Sequence, residues 1–125
     1  MVESSLITPQ IQKQFAEEDE YVMVCEPIKK LRAVGAPDYS ERLYVMTFHR
    51  IYTFNTQLKS GHYEIKDVSA ILKSNQNDKD FMIFFEHSVD IVISCDNRKD
   101  LLDLLKLRYN CLNRDITLRI FGVTN

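Results

Sequence analysis

The side chains best equipped for acid–base, nucleophilic or metal chemistry are three histidines, His49, His62 and His87, and three cysteines, Cys25, Cys95 and Cys111. A zinc site needs ligands brought together by short spacings such as HxxxH or CxxC, and neither occurs. The histidines fall in or beside turn-forming residues, where a surface imidazole is the ordinary outcome. A nucleophilic cysteine needs a base beside it, and no local Cys–His signature supplies one. Two of the cysteines fall in or beside apolar strands or helices, where a thiol packs as a small hydrophobe. Phosphate-cradling loops need several glycines within a few residues, whereas Gly35, Gly61 and Gly122 are far apart. No catalytic residue, metal ligand or cofactor is assigned, and an enzyme is the least supported class.

What remains is binding, and composition narrows the partners. The 125 residues carry 16 Lys plus Arg against 18 Asp plus Glu, a net charge of −2, with 45% apolar residues. That describes one domain with a real core and argues against nucleic acid, whose binders usually present a strongly basic face. No apolar run is long enough for a transmembrane segment, and the start of the chain lacks the basic and apolar regions of a signal peptide. Three cysteines without paired spacing read as reduced thiols. A cytoplasmic protein is expected, either cytoskeleton-associated or at a membrane periphery, and a start at Met1 with a non-strand leader favours a whole gene product over one domain of a longer protein.

The elements that must position any site follow from periodicity. Thr8 can cap a short helix that Pro9 begins, with Ile11 and Phe15 four apart on one face. The acidic run Glu17, Glu18, Asp19, Glu20 suits a solvated loop or the lead into a strand, because negative charge is disfavoured at a helix C-terminus. Seven β-rich runs follow, at 21–33, 42–47, 50–55, 62–66, 70–73, 80–86 and 90–94. Their spacing is that of an antiparallel sandwich or barrel. Gly35, Ala36, Pro37 and Asp38 break the first two runs apart, residues 57–61 and 75–78 close later hairpins, and Pro27 predicts a bulge or an edge position. Asp96 or Asn97 can cap an amphipathic helix whose stripe is Leu101, Leu104, Leu105 and Leu112, flanked by Leu102 and Tyr109. The run 116–123 alternates like one more strand. The organisation expected is a helical, acidic leader at 1–20, a β-rich domain at 21–113 and a strand extension at 114–125.

Seven short strands followed by one amphipathic helix is the element order of the pleckstrin-homology (PH) superfold. Three segments sharpen the resemblance: ERLYVMTFHRIYTFN at 41–55, IKDVSAILKS at 65–74 and DIVISCDNRKDLLDLL at 90–105. They resemble the PH-like tail-homology domain of class I myosins and PH-like segments of some protist protein kinases, over about three quarters of the chain. The resemblance implies a mainly β fold with α: a seven-stranded antiparallel bent barrel capped by the C-terminal helix, with the short N-terminal helix and an extra C-terminal strand added. In PH domains that bind phosphoinositides, basic residues around the first hairpin loop hold the clustered phosphates. The matching candidates are Lys29, Lys30, Arg32 and Arg42. Binders commonly carry a second basic residue two positions after the one matched by Arg42, where this chain has Tyr44. Over 26–42, four cations face Glu26, Asp38 and Glu41, leaving a net charge of only +1.

Two functions compete. The first is a non-enzymatic PH-like adaptor that docks onto a larger cytoskeletal or signalling assembly, with Ile11, Phe15, Leu118 and Phe121 as partner-binding candidates. The alternative is a membrane-targeting module that binds acidic phospholipid headgroups through the four cations. Aromatic residues bear on the first: if Met82, Phe84, Leu43 and Val45 face inward, then Phe81, Phe85 or Tyr44 projects outward as an interface cluster.

Overall fold

The computed structural model describes residues 7–16 and 20–124. Glu17, Glu18 and Asp19 of the acidic run lie outside the described residues. Helix α1 (Pro9–Ala16) starts as its sequence dictates: Thr8 Oγ1 accepts the Ile11 N–H at 3.3 Å, and Pro9 occupies the first turn, where no amide donor is needed. Four strands follow, β1 (Val22–Leu31), β2 (Tyr39–Thr47), β3 (Arg50–Asn55) and β4 (Leu58–Glu64), then a short 3₁₀ turn (Ile65–Asp67). Strands β5 (Val68–Ser74), β6 (Asp80–Phe85) and β7 (Ile91–Ser94) precede helix α2 (Arg98–Leu112) and a last strand, β8 (Ile120–Val123). The spatial order is β4-β3-β2-β1-β7-β6-β5-β8, antiparallel throughout except that β8 runs parallel to β5. Residues 116–119, expected in that strand, precede it, with Leu118 buried in the core.

Pro27 shows why β1 can join two halves of the sheet. It pairs with Leu43 of β2 on one side, while β7 joins β1 only at Lys29, Lys30 and Leu31. The missing amide donor therefore falls on a locally free edge. The bulge in β1 lies elsewhere, between Val22 and Val24.

Two cores result, one on each side of β2. Tyr44 and Met46 face the barrel interior with Ile28, Ile51, Ile71, Phe81, Ile83 and Ile93, and α2 closes this core with Leu101, Leu102, Leu105 and Tyr109. Val45 faces the other way, into a second cluster with Ile11, Phe15, Cys25, Tyr52 and Phe54. The Phe15 ring meets Tyr52 edge-on at 4.9 Å, and Gln14 reinforces the seat by accepting from Lys59 N–H at 3.1 Å and donating to the Gln57 carbonyl at 2.8 Å. At the start of α2, Arg98 Nη1 donates to the carbonyls of Ser74, Asn77 and Asp80, stapling the helix to the β5–β6 turn. Asn97 occupies the N-cap position without a capping hydrogen bond of its own, its amide reaching Glu26 at 3.2 Å instead.

Four expectations change. Phe81 and Phe85 point inward and are buried, while Met82 and Phe84 are half-buried on the opposite face; Tyr44 is completely buried. The inward parity of β6 follows from its pairing, Phe81 opposite Ile93 and Ile83 opposite Ile91, both core residues. Glu20 is no solvated charge. Its side chain is 4% exposed and accepts hydrogen bonds from Thr47 at 3.0 Å, Arg50 at 2.9 Å and the Tyr52 hydroxyl. Arg50 also holds Glu64 at 2.5 Å, and that bond raises the guanidinium pKa above its ordinary value. The β3–β4 turn is tighter than residues 57–61: Leu58 already pairs with Asn55, and Thr56 takes a positive φ of 61° to close it. Finally, Ile11, Phe15 and Leu118 are 1%, 1% and 4% exposed, filling the chain's own cores rather than facing a partner; only Phe121 of that set is exposed.

The cysteines divide as expected. Cys25 and Cys95 are buried and Cys111 is exposed. Burial pushes the Cys95 thiol above its ordinary pKa.

Candidate anion-binding site

Topology brings three turns to one end of the barrel. The β1–β2 loop (32–38) follows Leu31, the β6–β7 loop (86–90) precedes Ile91 beside it, and the β3–β4 turn (56–57) abuts the first residues of β2. Helix α2 starts where β7 leaves the sheet, so this end stays open. The β1–β2 loop does not close over it. Gly35, at φ 80°, lets the chain turn back so that its N–H reaches the buried Asp80 carboxylate at 3.0 Å. Leu31 and Val92, paired beside this loop, are both buried.

Strand alternation sorts the four candidate cations. Ile28 pairs with Arg42 and Lys30 with Ser40, so Lys30, Ser40 and Arg42 share the face of Ile28 and Tyr44 that leads into the barrel. Lys29 lies on the opposite face, across from Glu41, with its ammonium 4.5 Å from the Tyr39 ring. The structure therefore assembles Lys30, Arg32 and Arg42, with Asp38, Tyr39 and Ser40, around a hollow of about 330 Å³, and leaves Lys29 outside it.

The electrostatics of this hollow differ from the count along the chain. Neither Glu26 nor Glu41 lines the hollow. Its lining is three cations against one carboxylate, a net charge of +2. Asp38 is bound to Arg32 at 2.8 Å, and both are exposed. Arg42 is different. It is half-buried; its Nη1 donates to the Glu41 carbonyl at 2.8 Å, but its buried Nε–H has no acceptor among the described residues. A buried donor left unpaired costs about 1–3 kcal/mol.

Leu31, Tyr39 and Ser40 are the lining residues that sequence reasoning missed, and Ser40 is the one it could have found. The signal was present: residue 40 lies two positions before Arg42, hence on its face of the strand. Tyr44, which replaces a second basic residue, is a core side chain whose phenol is pushed up by burial, and it contributes no charge.

No protein-family model matches the sequence, and no curated protein matches it by sequence. Solved structures do. The hSac2 domain of the human phosphoinositide phosphatase Sac2 superposes with a TM-score of 0.64 at 8% identity, covering 98% of this chain and 92% of that one. The PH domain of human oxysterol binding protein-related protein 11 gives 0.60 at 13% identity, over 74% and 84%. The C-terminal domain of an unknown protein from Leishmania infantum gives 0.61 at 13% identity, over 78% and 93%. The fold is PH-like. At these identities the likeness establishes the PH-like fold alone and does not single out the class I myosin tail or the protist kinase segments within it.

Proposed function

We propose that the chain is a non-enzymatic PH-like binding module whose open end takes the phosphorylated headgroup of an acidic phospholipid. The observation that carries this reading is the Arg42 guanidinium, half-buried beside Lys30 with its Nε–H lacking an acceptor. Arg32 adds less, being already paired with Asp38 in water. Lys30 and Arg42, at about 1 kcal/mol each near an anionic surface, enrich the chain there by roughly thirtyfold, a modest and salt-sensitive effect. Phosphates clustered on one ring reach both cations at once, which a dilute monovalent anion does not.

Titration of ¹⁵N-labelled protein with soluble inositol trisphosphate tests the site. Shifts concentrated on the amides of Lys30, Arg32, Ser40 and Arg42 are expected, together with a moved Arg42 Nε–H resonance. Shifts spread over Lys66, Lys99 and Lys106 instead would identify non-specific charge attraction and overturn the assignment.

Docking onto a protein assembly is the second reading, and one observation favours it. The outer face of β5, β6 and β8 carries Leu72, Met82 and Phe121 in one cross-strand row, with Ala70 and Phe84 beside it. All are half-buried or exposed, and among the described residues α1 and α2 pack elsewhere. Phe121 is thus the one sequence-derived partner candidate placed to serve. The described residues contain no helix long and apolar enough to cross a membrane.

A further inference from the structure

The sheet ends in two edge strands, β4 and β8, and they are finished differently. An unpaired edge is a template for another strand, and proteins blunt it with charge, a bulge or a covering helix. β4 has all three. Lys59 stands on it, its pairing with β3 shifts register between Thr53 and Phe54, and Gln14 of α1 accepts the Lys59 N–H at 3.1 Å. Among the described residues, β8 has none of them. Residues 120–124 include no charged side chain and no proline, the strand pairs with β5 without a register shift, and no helix residue bonds to its backbone. Phe121 stands 49% exposed on its outer face.

The bonds from β8 to β5 fix which backbone groups remain for a partner. The carbonyls of Arg119 and Val123 accept the N–H groups of Ile71 at 2.9 Å and of Asn75 at 2.7 Å. Successive residues of a strand turn their backbone groups to opposite sides, so Arg119, Phe121 and Val123 direct theirs to β5. Ile120 and Gly122 therefore turn both N–H and C=O toward the free edge. The strand is also closely seated, because a side-chain carbon at Gly122 would fall 2.5 Å from the Asn75 side-chain oxygen.

We propose that a second copy of this chain covers that edge, its β8 lying antiparallel to the first about a twofold axis at Phe121. In this register Ile120 of each copy exchanges N–H···O=C bonds with Gly122 of the other, and Phe121 lies opposite Phe121. Arg119 falls across from Val123, so no like charges meet. The two phenylalanines join the Leu72 and Met82 pairs of both copies into one apolar row across the outer face. A second β8 is already ordered against its own β5, so it avoids the entropy that an unstructured peptide loses on pairing. The assembly closes at two, because pairing of β8 with the β4 edge, the route to a filament, meets Lys59 and the Gln14 contact. So short an edge buries less than a standard interface, which makes the dimer transient, with a Kd on the order of 0.1 mM. The pairing is independent of headgroup binding.

Sedimentation equilibrium of the full chain, from about 10 µM to about 1 mM, brackets that affinity and reads the mass. Amide hydrogen exchange over the same range reads the edge. The mass should climb from 14.7 kDa toward twice that value, and the Ile120 and Gly122 amides should gain protection as concentration rises. Phe121→Lys sets two ammonium groups opposite each other and should weaken association by about tenfold. Leu58→Lys, on the β4 edge, should leave it unchanged. A mass of 14.7 kDa at every concentration overturns the proposal. So does a dimer whose Ile120 and Gly122 amides exchange as they do in the monomer, since its contact then lies on the open sheet face. Association that survives Phe121→Lys, in a variant whose circular-dichroism melt matches the parent, overturns it as well. Should that variant melt early, the exchange at Ile120 and Gly122 in the parent decides.

Discussion

Replacing Lys30 with Glu and Arg42 with Gln in one variant should reduce binding to phosphoinositide-containing vesicles by thirtyfold or more, to the level of plain phosphatidylcholine. The fold should not notice. Lys30 is exposed, and Arg42 loses a guanidinium whose buried Nε–H makes no hydrogen bond, so the melting midpoint should stay within a few degrees of the parent. Arg32→Glu alone should weaken binding less, because Arg32 is already paired with Asp38. Lys29→Glu should do least of the three, since its ammonium lies over Tyr39 on the other face of β1. Vesicle sedimentation of the three variants ranks them directly. A double variant that binds like the parent, or a ranking led by Lys29, would contradict the placement of the site.

The second large effect concerns stability. Phe15→Ala should destabilise the domain by about 3–5 kcal/mol, the cost of emptying a buried aromatic site. Phe15 is 1% exposed and contacts both Tyr52 and Phe54, so few neighbours can relax into the space. For a domain of this size that corresponds to a fall in Tm on the order of ten degrees. Denaturant titration checks it, and a loss below about 1 kcal/mol would mean that α1 is an appendage rather than part of the folded unit. The distinction matters for function. A helix held this firmly is unavailable to a partner, which is why the docking reading moves from α1 to the sheet face that carries Phe121.

The contrast between those two surfaces shows what the sequence could convey. The order of seven strands and a helix was legible because turn residues punctuate short apolar runs, and because Leu101, Leu105 and Tyr109 repeat at helical spacing. Strand parity was not. The alternation rule assumes one wet face, and β2 has none: Tyr44 is covered by the barrel and Val45 by α1. With adjacent residues both buried, hydrophobicity alone gives no phase. Glu20 failed for a related reason. Charge along the chain does not reveal that Thr47, Arg50 and Tyr52, some thirty residues away, converge on one carboxylate.

The candidate site was half legible. Its cations were identifiable by type and by their position around the Gly35–Asp38 break. Their net charge was not, because counting neighbours in sequence set Glu26 and Glu41 against them. Neither carboxylate lines the hollow.

Co-sedimentation of the parent chain with vesicles, with and without phosphatidylinositol bisphosphate, at low and at near-physiological salt, tests the central claim most directly. The account predicts binding that requires the phosphoinositide, weakens as salt rises and persists at near-physiological strength, since an Arg–phosphate contact at a half-buried guanidinium is screened less than a surface charge pair. Equal recovery with plain and phosphoinositide vesicles, or no recovery at either salt, would contradict it and leave the PH-like barrel as a protein-docking scaffold.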